Sequence, residues 1–140
     1  MGFRLVVLPT VLFFLASITP LFAHHSSSTN IDYTKTIRIT GMITRIEWNN
    51  PHVRFYMTTN DRDGNIISWT VGLAPPNGLT RVGFDKNLVN LSDPVSMELW
   101  GPKDGKKIAN GSFPAEGQTL TLMDGRKFDV SDKWLQLKQN

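Results

Sequence analysis

The stretch Ile37-Arg38-Ile39-Thr40-Gly41-Met42-Ile43-Thr44-Arg45-Ile46-Glu47-Trp48 decides the fold. Ile37, Ile39, Gly41 and Ile43 fall on one parity and Arg38, Thr40, Met42 and Thr44 on the other, the alternation of a half-buried β-strand. The apolar parity then slips to Ile46 and Trp48. A straight strand would turn those two side chains to solvent, so a β-bulge near Thr44-Arg45 is expected, with Gly41 easing the curvature. A long, bent first strand is what a small closed barrel requires.

Working outward, Asn49-Asn50-Pro51 is a turn, because proline fixes its own φ and biases Asn50 away from the helical region. Val53, Phe55 and Met57 then share the core parity, which leaves His52, Arg54, Tyr56 and Thr58 on the other and places His52 outside the core or on its rim. Asn60 to Asn65 reads as a hairpin loop with Asp63-Gly64 near its end, and Ile67, Trp69 and Val71 as the inner face of a third strand. Between Leu73 and Asp93 the alternation stops. There Ala74-Pro75-Pro76-Asn77 predicts a short helix capped by Asn77, running through Leu79 and Val82 and closed by Gly83. Leu88 and Leu91 are expected to plug one end of the barrel. Val95, Met97 and Leu99 mark a fourth strand, and Ile108-Ala109-Asn110 is expected to open a fifth that continues through Leu120 and Leu122. Phe128, Val130, Trp134 and Leu135 form a final element of undetermined type. The expected fold class is all-β: a small OB-like Greek-key barrel of five to six strands with one short helix between strands three and four. An open β-sandwich is the alternative.

At the N-terminus a short basic start, Met1-Gly2-Phe3-Arg4, precedes the apolar run Leu5–Phe22 and the small residue Ala23, the pattern of a secretory signal peptide. An apolar run of about 18 residues is just long enough to span a bilayer. Pro9, Pro20 and the polar sequence after Ala23 favour cleavage instead. The expected organisation is a signal peptide over residues 1–23, an N-terminal arm over 24–36 and a single β-barrel domain over 37–140, in the periplasm or secreted, with no membrane anchor after cleavage. The 140-residue chain has no cysteine, which excludes disulfides, thiolate metal sites and thiol catalysis. Its net charge of +3 is spread over single Lys and Arg residues close to Asp or Glu, so no polyanion-binding surface and no nucleic-acid partner is expected.

The sequence resembles a family of small exported bacterial proteins defined as a domain of unknown function. The resemblance rests on Ala23-His24-His25-Ser26, on Thr40-Gly41-x-Ile43-Thr44-x-Ile46-Glu47-Trp48-x-Asn50-Pro51-His52, on Pro76-Asn77-Gly78-Leu79 with Arg81 and Gly83, and on Leu122-x-Asp124-Gly125-Arg126. It implies an exported single domain and brings no activity with it.

The chain has three histidines, and two of them, His24 and His25, would open the processed protein. An N-terminal histidine can hold a metal through its α-amine and ring together, and a further imidazole from His52 or His25 would complete a nitrogen set suited to copper. Such a set looks like the histidine brace of copper monooxygenases and some periplasmic copper carriers. Zn(II) is the next choice if Glu47 or Asp32 joins. Against this stands a plain reading, in which His24 and His25 are polar residues of a chain end and His52 fixes the turn. Asp61-x-Asp63-Gly64-Asn65 resembles the start of a calcium loop but lacks the distal glutamate, which favours a hairpin turn. Arg54, Tyr56 and Trp100 on the outward parity form a candidate face for a small ligand or a periplasmic partner protein. No nucleophile and base stand in a recognisable pair. The expected function is therefore that of an exported, non-catalytic accessory or binding domain, with a copper-binding protein as the alternative.

Overall fold

The computed structural model describes residues 30–132, so the expected signal peptide, His24, His25, Trp134 and Leu135 lie outside the described residues. Six strands are formed: β1 (Ile31–Glu47), β2 (Arg54–Asn60), β3 (Ile66–Gly72), β4 (Pro94–Pro102), β5 (Phe113–Thr121) and β6 (Lys127–Asp129). A short helix α1 (Pro76–Arg81) and a 3-10 turn (Lys86–Leu88) lie between β3 and β4. The hydrogen-bonded order is β3-β2-β1-β4-β5-β6, and β3 also pairs with β5, so the first five strands close on themselves. This is the OB-like barrel expected from the alternation, with its helix between strands three and four, and it excludes an open sandwich.

The first strand behaves as its sequence demands. Its register against β2 shifts between Ile43 and Arg45, and past the bulge Ile46 and Trp48 pack against the same core as Ile43. One strand can then wall the barrel on both sides, pairing with β4 along Thr36–Met42 and with β2 along Met42–Glu47. At Gly41 a Cβ would collide with the Thr58 carbonyl oxygen and stand 2.7 Å from Thr59 Cγ2, so glycine permits the close crossing of β1 and β2.

Four expectations are corrected. β1 begins at Ile31, within the stretch read as an arm, because Ile31 is buried and pairs with Pro102; a register irregularity between Ile31 and Thr36 hides its alternation. Asn77 does not cap α1. Pro75 occupies the cap position without a side-chain bond, and Asn77 lies inside the first turn. Leu91 is 60 % exposed and does not plug the barrel; Phe84, Leu79 and Val89 fill that place. Ile108-Ala109-Asn110 opens no strand, since Ile108 N–H donates to the Ser112 carbonyl in a turn and β5 starts at Phe113.

Closure has a specific geometry. β3 and β5 run parallel from Trp69↔Phe113 to Gly72↔Glu116. Beyond that pair they part, and the chain after β6 enters the gap: Val130 N–H donates to the Gln118 carbonyl and Ala74 N–H donates to the Val130 carbonyl, both at 2.9 Å. Val130 is fully buried there. The apolar side chain and both backbone groups of this residue are thereby satisfied in one stroke.

Candidate functional site

The fork where β3 and β5 part lies at the same end of the barrel as the Asn50-Pro51 turn, and the polar residues of the rim gather there. The Asn50–Pro51 peptide is cis. It brings the chain into Val53, which exchanges backbone bonds with Leu73 and Ala74, and so sets His52 at the edge of the core. His52 Nδ1 lies 3.3 Å from Asp132 Oδ2; the imidazole is about one-third exposed, whereas the Asp132 side chain is 8 % exposed. A carboxylate withdrawn from water in this way holds the ring in one orientation and leaves Nε2 as the ring atom able to meet a ligand.

Glu116 sits at the fork itself. Its carboxyl occupies the space over Gly72, where a Cβ would stand 2.6 Å from Oε2. Burial pushes the Glu116 carboxyl up to about 7, Asp132 adds to the rise by like-charge repulsion, and Arg54 opposes it. Arg54 also lies 3.7 Å from Glu47, which pairs with Arg45 as well. The Arg45 guanidinium stacks on Tyr56, 3.9 Å from the ring centroid.

Of the residues singled out in sequence, Arg54 and Trp100 are brought onto one circumferential row. The pairs Arg54↔Gly72, Gly72↔Glu116 and Glu116↔Trp100 run from β2 through β3 and β5 to β4. At about 4.8 Å per strand step the row spans roughly 14 Å of outer surface. Tyr56 pairs with Thr70 in a neighbouring row, under Arg45. Trp100 is backed by Tyr33, with ring centroids 5.2 Å apart. His52 joins the same end through Asp132. The partners expected for it, His24 and His25, lie outside the described residues. Glu47 faces Arg45 and Arg54, and Asp32 accepts from the N–H and hydroxyl of Thr34. Among the described residues no group of three or more His, Asp or Glu side chains is placed to hold a metal ion.

The calcium-like loop is a hairpin turn. Asp61 accepts from the N–H groups of Asp63 and Asn65 and from the Asn65 amide, and these bonds hold its carboxyl below the usual range. Glu116 and Asp132 were not legible as site residues. Glu116 stands between Ala115 and Gly117 in a segment without alternation, and Asp132 is identified only by what β6 places beside it.

A family model matches residues 13–111, a span that takes in β1 to β4 and with them His52, Arg54, Tyr56 and Trp100. Its description is a family of unknown function, DUF6152. The chain belongs to this family. The DUF6152 match stops before β5, so Glu116 and Asp132 lie beyond it. No curated protein matches the chain.

Proposed function

We propose that this DUF6152 chain is an exported, non-catalytic accessory domain of the periplasm or the secreted fraction, which binds a partner protein or small ligand at the fork end of its barrel. The observation that supports the reading is the row Arg54–Gly72–Glu116–Trp100, which aligns a cation, a carboxyl and an aromatic ring on a rigid wall. Gly72, without a side chain, leaves room at the centre of the row for the Glu116 carboxyl. Partners would meet Arg54 and Trp100 as fixed contacts, because both belong to paired strands and not to loops.

The test has two parts. The intact mass of the exported protein is expected to correspond to a chain starting at His24. Affinity capture from the exported fraction is expected to recover a protein or small molecule that wild type retains and Arg54→Glu and Trp100→Ala lose at least tenfold. Equal recovery by the wild type and both variants would count against this face.

One observation favours a second reading, copper binding through His24, His25 and His52. Metal-bound imidazoles commonly donate their other ring N–H to a carboxylate, and the buried Asp132 beside His52 Nδ1 is such a partner. Under this reading, Cu(II) added to protein that begins at His24 produces nitrogen hyperfine splitting in the EPR spectrum. His52→Ala and one extra residue placed before His24 should each weaken binding at least tenfold. Because the ligands must be unprotonated, affinity should also fall as the solution is made more acidic. Unchanged affinity in both altered proteins would remove the reading.

A further inference from the structure

A second polar surface continues past Trp100 on the outer face of β1, β4, β5 and β6. A groove of about 330 Å³ opens there, lined by Arg38, Thr40, Ser96, Glu98, Thr119, Thr121 and Lys127 over Ile39 and Met97. That volume falls at the lower end of the roughly 300–1,000 Å³ typical of small-molecule sites.

Register arranges these side chains in two parallel rows. One is Thr40↔Ser96, Ser96↔Thr121 and Thr121↔Lys127, crossing all four strands. The other is Arg38↔Glu98, Glu98↔Thr119 and Thr119↔Asp129. Since residues on one cross-strand row stand on the same side of a sheet, each row presents a continuous line of polar groups.

The charges of the two rows are unequally met. Arg38 and Glu98 pair with each other, Nη2 to Oε1 at 2.7 Å. Asp129 accepts from both the N–H and the hydroxyl of Ser131. Lys127 has no ion pair among the described residues. Thr40 and Ser96 hydroxyls share one hydrogen bond of 2.8 Å, which leaves each with further donor or acceptor capacity. The first row is thus a line of three hydroxyls ending in the Lys127 ammonium, with the Asp129 carboxylate in the adjoining row.

We propose that this groove is a binding site for a small polyhydroxylated anion of the sugar-acid class. The carboxylate of the ligand meets Lys127, and its hydroxyls replace water along Thr121, Ser96 and Thr40, each of which can donate or accept as the ligand requires. The closed Arg38–Glu98 pair forms one wall without adding net charge. The proposal stands apart from the fork reading, since it uses none of His52, Arg54, Glu116 or Trp100.

The test compares three probes of one ring size and different charge: glucuronate, glucose and glucosamine, with sodium sulfate as a bare anion. Each is titrated into 15N-labelled protein while amide shifts are followed. The expected result is saturable shifts at Thr40, Ser96, Thr119, Thr121 and Lys127 with glucuronate, at least tenfold weaker binding of glucose, and none of glucosamine. Lys127→Gln should lower glucuronate affinity to that of glucose, and Ser96→Ala should weaken both sugars. Both variants lie on the surface, and an unchanged spectrum elsewhere verifies their fold. Glucosamine or glucose binding as well as glucuronate, sulfate matching glucuronate, shifts confined to another face, or an unaffected Lys127→Gln variant would each overturn the proposal.

Discussion

Glu116→Gln should make the protein more stable than wild type at pH 8 and remove most of the pH dependence of its stability between pH 4.5 and about 7. An ordinary glutamate loses its proton near 4.5, whereas in the fold Glu116 keeps it to about 7, chiefly because of burial and secondarily because of Asp132. Between those values the native state binds more protons than the unfolded chain, so wild-type stability falls as pH rises through the window and levels off above it. At 1.36 kcal/mol per pKa unit the full loss is about 3 kcal/mol, an upper figure for a site that water can still approach. Glutamine keeps the shape over Gly72 without the ionisation. Urea unfolding midpoints at pH 4.5, 6 and 8 measure the effect, and parallel curves for the two proteins would show that Glu116 ionises normally.

Phe84→Ala is expected to destabilise the barrel by about 3–5 kcal/mol, the usual cost of emptying a buried aromatic site. Phe84 is fully buried, and its ring lies 5.9 Å from that of Trp48, 6.3 Å from Phe55 and 5.2 Å from Phe128. These neighbours come from the residue after β1, from β2 and from β6. The phenyl ring therefore ties β6, which pairs only with β5, to the β1–β2 side of the barrel. For a domain near 100 residues the loss corresponds to a fall in Tm on the order of 20 °C. Leu91→Ala, at a largely exposed position, should change Tm by only a few degrees. A thermal melt of the two variants in the same buffer checks the contrast.

The barrel was legible where side-chain alternation carried the information. The parity slip at Ile46 announced the bulge, and Val53-Phe55-Met57 and Val95-Met97-Leu99 announced two walls, because each strand has one face in the core and one in water. Legibility failed where the backbone does the work. β5 opens with Phe113-Pro114-Ala115-Glu116-Gly117, in which small residues and a carboxyl interrupt the pattern, so its start carries no alternation and Ile108 is the more conspicuous apolar residue. Ile31 does not join the alternation because an irregular register separates it from the regular part of β1. Phe84 lies after a helix, outside any period, and only the fold shows that it is central. The site was half visible: Arg54 and Trp100 could be placed on an outward parity, but their alignment through Gly72 and Glu116 depends on which strands pair across the seam. Asp132 is far from His52 in sequence and meets it only because β6 turns back.

The position of Val130 also dictates an order of assembly. A ribosome releases Ala74 and Gln118 before the residue that completes both of their backbone bonds. Until that residue emerges, the wall between β3 and β5 has an open slit with an unmet N–H and an unmet carbonyl. Chains cut before residue 130 would therefore present two adhesive edges, and such edges recruit foreign strands. For this barrel the hazard of aggregation is concentrated in the interval before the last stave arrives.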